Sequence, residues 1–191
     1  MTRDGMRTCV GFVGAGGIAH RHVGTLREMP DVEIVGFADP DFGRADALAS
    51  KVGARAYATH QDLMERERLD AVYICVPPFA HGDPEKAAID LGLPFFVEKP
   101  LSLDLGAAEE IALAVEASGL VTAAGYHWRY LDTVEEARGL LRDTPAQLVN
   151  GYWLDQTPPP QWWWREERSG GQIVEQATHI LDVARYLLGE I

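Results

Sequence analysis

The chain has 191 residues, 47% of them hydrophobic, and a formal net charge of −12 at pH 7. That is enough apolar material for one full domain and part of another, and the acidic balance excludes nucleic acid and anionic membrane surfaces as partners, since either needs a basic face. No stretch approaches the roughly eighteen apolar residues of a membrane span, Met1 to Arg7 lacks the apolar core of a secretory leader, and the sequence reads as cytoplasmic.

The first element carries the most information. Thr8 to Val13 is an apolar strand that runs into Gly14-Ala15-Gly16-Gly17-Ile18-Ala19 and then a helical pattern. Gly14 lets the strand turn sharply, Gly16 lets backbone approach a pyrophosphate, and small Ala19 lets the helix pack on the strand. The helix then offers unpaired N–H groups and a positive dipole end to the phosphates. Val32 to Ala38 reads as a second strand ending in Asp39. A carboxylate there accepts hydrogen bonds from both adenosine ribose hydroxyls and repels a 2′-phosphate, which favours NAD over NADP. Arg44 nearby weighs the other way, and capping of a helix over 42–51 is the plainer role for Asp39.

Thr59-His60-Gln61-Asp62 resembles a capping box with Asp in place of Glu, opening a helix to about Arg66. Ala71 to Val76 is nearly continuous in apolar residues, as a strand covered on both faces should be, and stops at Pro77-Pro78. A helix over His81 to Leu91, a strand over Pro94 to Val97, a helix over Leu103 to Ser118 closed by Gly119, and a sixth strand over Val121 to Gly125 follow. The alternation predicts right-handed βαβ units in a doubly wound parallel sheet. Cys9 and Cys75 fall on neighbouring strands with an offset of roughly 10 Å, too far for a bridge, and read as buried thiols.

Beyond Tyr126 the elements are sparser. Leu148 to Leu154 reads as a strand, and Pro158-Pro159-Pro160 leads into Trp162-Trp163-Trp164, aromatics suited to stacking on a sugar ring or to packing, with packing favoured for two of the three. Trp128 is a candidate for the wall of a cleft, and Arg129 could meet an acidic substrate or pair with a carboxylate of the chain. A helix over Val174 to Leu188 places Glu175, His179 and Asp182 on one side and Ala177, Ile180, Leu181, Ala184, Leu187 and Leu188 on the other. Amphipathicity alone reads the polar side as solvated. His20 and His22 read as a packing or surface pair and His60 as part of a helix start. No Cys/His clustering supports a metal site.

Five motifs in this order, Gly14-x-Gly16-Gly17-Ile18, Val76-Pro77-Pro78 with His81, Glu98-Lys99-Pro100, Gly125-Tyr126 with Arg129, and Ser169-Gly170-Gly171 through His179 and Asp182, resemble the Gfo/Idh/MocA oxidoreductases over almost the whole chain. The resemblance implies a Rossmann domain over 1–126 and, over 127–191, the beginning of an incomplete α/β domain with an open antiparallel sheet. It implies NAD(P)-dependent hydride transfer to or from a secondary alcohol of a sugar, inositol or related polyol, without metal, in a homo-oligomer. Cofactor contacts then fall on Gly14, Gly16, Gly17, Ile18, Asp39, Pro77, His81, Glu98 and Lys99, and catalysis on Lys99, His179 and Glu175. Lys99 would steady the alkoxide and contact cofactor ribose and substrate, with its bond to Pro100 often cis in the family. His179 would accept the hydroxyl proton, its basicity raised by a neighbouring carboxylate. Many members carry Asp where this chain has Glu175, which would orient His179 or share the proton transfer.

Read without the resemblance, Glu98-Lys99-Pro100 is a charged surface turn. Family members are closer to twice this length, so residues past about Tyr126 would need the first domain, another subunit or a further segment to bury their apolar faces. An NAD-binding module without turnover is therefore the alternative. A methyltransferase built on a similar glycine turn is weaker, because it leaves Lys99 and His179 without a role.

Overall fold

A computed structural model describes residues 7–190; the leader reading falls mostly on residues 1–6, outside the described residues. Strands β1 (Thr8–Val13), β2 (Val32–Ala38), β3 (Arg55–Tyr57), β4 (Ala71–Ile74), β5 (Phe95–Val97) and β6 (Thr122–Ala124) alternate with helices α1 (Gly17–Leu26), α2 (Phe42–Ala49), α3 (His60–Arg66), α4 (Asp83–Asp90) and α5 (Leu105–Ser118). All strand pairs are parallel, in the order β3-β2-β1-β4-β5-β6. The chain starts at the centre, winds out through β2 and β3, then returns to β4 on the far side of β1. The order reverses between β1 and β4, the crevice where open α/β sheets bind ligands.

Both faces of the sheet are covered over β1, β2 and β4. On one, Val10, Phe12, Ile34 and Phe37 pack against Ala19, Val23 and Leu26 of α1 and Ala45, Leu48 and Ala49 of α2. On the other, Val13, Val72, Ile74, Phe95 and Val97 pack against Leu63 and Met64 of α3 and Ala88 of α4. Each fully buried Phe, Leu, Ile or Val side chain contributes about 1.5–3 kcal/mol. Gly11 and Gly36 make room for this second layer: a methyl group on Gly36 would lie 2.5 Å from a Leu63 methyl.

Local signals hold where they are chemical. Thr59 caps α3 by accepting the Asp62 N–H, and Gly119 ends α5 with φ +66°. β3 has only three residues and no apolar alternation to mark it. Cys75 is buried and Cys9 only partly so, which corrects the reading of two buried thiols; both are free.

Past β6 the chain forms α6 (Asp132–Asp143), the single turn α7 (Glu166–Ser169), and a π-helical segment Ile173–Ala177 that continues into α8 (Thr178–Leu188). The strand expected over Leu148 to Leu154 is not formed; residues 145–160 have no regular hydrogen-bonded structure. A strand exists only by pairing its N–H and C=O groups with a neighbour, and no described residue pairs with this segment. Leu148, Tyr152 and Leu154 are accordingly exposed.

Candidate functional site

The glycine turn leaves β1 at the switch point. Gly14 has φ +92°, a left-handed conformation that favours glycine, and its N–H donates to the Ala38 carbonyl at 2.7 Å. A Cβ there would lie 2.3 Å from the Cys75 carbonyl oxygen, whereas a Cβ on Gly16 or Gly17 would meet nothing within 4 Å. The turn is thus closed on its protein side and open on the other. Gly16 is the N-cap of α1, with no side-chain cap and no acidic residue in the first turn, so the N–H groups there are free for an anion. Ile18 stands 36% exposed beside them.

Asp39 follows β2 and reaches back to this turn. Its Oδ2 accepts the Ala15 N–H at 2.9 Å and its Oδ1 the Asp41 N–H at 2.8 Å. The N-cap of α2 is Asp41, not Asp39, so Asp39 braces the glycine turn from the end of the second strand. These residues fit a dinucleotide: an open glycine cradle, an uncapped helix N-terminus and a carboxylate beyond the second strand.

A clean separation of roles is expected here. Gly14→Ala should destabilise the protein by about 2–4 kcal/mol, since it meets backbone in a left-handed conformation. Gly16→Ala should cost under about 1 kcal/mol of stability yet weaken dinucleotide binding at least about tenfold. Urea unfolding and equilibrium titration of the two variants check this.

The other strand ends supply the second half of the cleft. Pro77 is extended and opens a 3-10 turn over Pro78–Ala80 after β4. Glu98 and Lys99 follow β5, with a cis Lys99–Pro100 peptide. Glu98 is only 5% exposed; its Oε1 meets His22 Nε2 at 2.7 Å and its Oε2 accepts the Lys99 N–H at 3.1 Å. His22, on α1, also packs at a tilt on Tyr73 and edge to face on Phe96, so of the two readings, packing or surface, packing holds for it. His81 does not line the cleft as expected: its imidazole is wholly buried, with Nδ1 on Glu85 at 2.6 Å.

Lys99 is fixed from across the cleft. Its Nζ donates to the Glu175 carbonyl at 2.8 Å and to Glu175 Oε1 at 3.0 Å, while Trp163 Nε1 donates to Glu175 Oε2 at 3.3 Å. Glu175 lies in the π-helical segment, a form common at functional sites. Its carboxylate therefore serves Lys99 and Trp163, and does not orient His179.

His179 is 5% exposed and packs against the rings of Tyr126, His127, Trp128 and Trp153. Trp128 and Trp153 lie nearly parallel to it, and Nδ1 is buried without a partner. Burial first, then the charge of Lys99 and the neighbouring His127, pushes its pKa down to about 4. The expected rise in basicity is corrected: Asp182, the carboxylate one turn along the helix, is gripped at two points by Arg129. Polar residues of this helix thus turn inward, with Asp182 8% exposed, while Leu181 is 49% exposed, the reverse of a solvated polar face. Trp162 and Trp163 pack and Trp164 is 68% exposed. Trp153 and the Glu98–His22 link carry no local pattern in sequence, because their partners lie far along the chain.

The reversed parallel sheet, the open glycine turn and the bracing aspartate define a Rossmann-type dinucleotide-binding protein. Residues 8–126 match the oxidoreductase family with an NAD-binding Rossmann fold, and residues 129–191 match an oxidoreductase C-terminal domain. The chain belongs to the Gfo/Idh/MocA oxidoreductase family. It is 30% identical over 185 residues to scyllo-inositol 2-dehydrogenase (NAD(+)) of Bacillus subtilis, covering 93% of this chain and 53% of that protein. It is 30% identical over 184 residues to D-xylose 1-dehydrogenase (NADP(+)) 2 of Haloferax volcanii, covering 94% and 57%. The structure of GenD2 from gentamicin A biosynthesis, in complex with NAD, superposes with a TM-score of 0.84 at 25% identity, covering 98% of this chain and 55% of that one. The chain spans about half the length of the relatives it matches. Among the described residues no helix is long and apolar enough to cross a membrane, and no cluster of His, Cys, Asp or Glu could hold a metal ion.

Proposed function

We propose that this protein oxidises a secondary alcohol of a sugar, inositol or related polyol with NAD. The observation that carries the reading is the Lys99 ammonium, held by both the carbonyl and the carboxylate of Glu175 beside His179, at the same sheet edge as the open glycine turn. Bound nicotinamide supplies the hydride acceptor. Gly14, Gly16, Gly17 and Ile18 form its phosphate cradle, Asp39 its ribose acceptor, and Pro77, Glu98 and Lys99 the inner wall.

The chemistry asked of the side chains is modest. A cation beside the alcohol oxygen stabilises the negative charge that develops there, most strongly where water is excluded; Lys99 is only 16% exposed. His179 is neutral near pH 7, so it can accept the hydroxyl proton without first losing one, through Nε2, because Nδ1 is sealed. Glu175 positions Lys99, and Arg129 holds Asp182 out of the proton path.

Asp39 supports NAD over NADP. Asp39→Asn should weaken NAD about tenfold, the scale of one charge-assisted hydrogen bond, while NADP affinity stays level or rises. Titrating both cofactors against both proteins reads this directly, and equal NAD and NADP affinity in the unaltered chain would overturn the preference. Assembly into a homo-oligomer belongs to the same reading, supported by exposed Leu148, Tyr152 and Leu154, as does a cytoplasmic setting, supported by two free thiols; sedimentation and fractionation test them. A second reading, dinucleotide binding without turnover, draws on the unpaired segment 145–160. NADH formation on a panel of polyols and sugars separates the two.

A further inference from the structure

One cation beside this cleft has no carboxylate. α7 packs on the 3-10 turn after β4, and there the Arg168 guanidinium lies 5.0 Å over the centre of the Phe79 ring. Phe79 in turn meets Trp162 edge to face at 6.4 Å. Trp162 adjoins Trp163, whose indole N–H holds Glu175, which holds Lys99. The exposed arginine is therefore joined to the Lys99 site only through this relay of side chains, on the same side of the sheet edge as the turn after β4. Arg44, Arg55, Arg66, Arg129 and Arg185 each meet a carboxylate. Among the described residues Arg168, like Arg21, Arg27, Arg138, Arg142 and Arg165, meets none, although Glu166 and Glu167 precede it and the chain carries a net charge of −12.

Stacking occupies one face of a guanidinium and leaves its in-plane N–H donors open. Such a group receives a carboxylate or phosphate through two parallel hydrogen bonds. What sets Arg168 apart from other unpaired arginines is its seat on an aromatic ring, and the adjoining Trp162 gives a sugar ring somewhere to lie.

We infer that Arg168, carried on Phe79 and Trp162, is an anion subsite of the substrate cleft, and that the substrate is a sugar bearing a carboxylate or phosphate group apart from the reacting alcohol. The inference rests on the reading of Lys99 and His179 as the reacting end.

Calorimetric titration of the chain with a hexuronate, a hexose phosphate and an uncharged inositol, each with and without saturating NAD, tests it. At least one anionic sugar should bind about tenfold or more tighter than inositol, and which one does so distinguishes carboxylate from phosphate. Arg168→Leu should abolish that preference while leaving NAD affinity unchanged, and Arg168→Lys should retain part of it. Inositol binding as tightly as both anions, or a preference that survives Arg168→Leu, overturns the inference. So does an equal loss of NAD affinity in Arg168→Leu, because the arginine would then serve the cofactor. If the unaltered chain binds no NAD, the dehydrogenase reading fails, and the titrations without cofactor still decide the role of Arg168.

Discussion

Replacing Lys99 by Met is expected to lower kcat/KM for NADH formation by about 10²–10⁴-fold, the range for removing a group that stabilises charge in a transition state. The change also has a structural cost. Glu175 is 14% exposed at its side chain and would keep only the Trp163 N–H as a side-chain partner. A half-satisfied buried carboxylate costs about 1–3 kcal/mol, visible as a lower urea midpoint. The double variant Lys99→Met, Glu175→Gln removes the stranded charge and should regain most of that stability, while activity stays lost. If activity returned together with stability, Lys99 would be a structural residue and its assignment wrong.

The second large effect concerns His179. Its acid limb in kcat/KM should fall near pH 4, where the imidazole is protonated in the folded protein, and not near 6.5. Stability follows with a definite sign. The folded pKa is depressed, so between about 6.5 and 4 the unfolded chain binds more protons than the native one, and stability drops as pH falls through that window. The loss is about 1–3 kcal/mol after allowing for solvent screening. Lys99 and His127 push in this direction while Glu98 and Asp182 oppose it. His179→Phe keeps a ring packed against the stacked pair Trp128 and Trp153 and removes the titration. Its stability should be flatter than the unaltered chain's over the same window, with activity reduced by about 10²–10⁴-fold. A variant that turns over at the full rate would remove His179 from the mechanism.

What sequence could show about this molecule was decided by how local the causes are. The β1 strand, the glycine turn and α1 were legible together because a left-handed glycine, a small packing residue and a helix start fall within one short stretch. Caps at Thr59 and Gly119 were legible for the same reason. Strand β3 was not, since three residues with no alternation are defined only by pairing with β2. The segment over Leu148 to Leu154 shows the converse: its pattern suits a strand, but propensity cannot supply the missing neighbour. Helix α8 misled through its amphipathicity. Polar residues of α8 and of the π-helical segment before it face inward because Lys99 and Arg129, from distant parts of the chain, satisfy Glu175 and Asp182 there. The burial of the His81 ring was hidden in a similar way, because its partner Glu85 is indistinguishable in sequence from a solvated helical glutamate.

The buried carboxylate of Glu98 has a wider consequence. One oxygen is tied to His22 on α1 and the other to the Lys99 backbone, and a Cβ on Gly125 would lie 2.8 Å from it. The helix that presents the phosphate cradle, the end of β5 and the end of β6 are therefore keyed together at a single group. A dinucleotide seated on α1 and an alcohol held by Lys99 would meet in a spacing set by the core rather than by a loop.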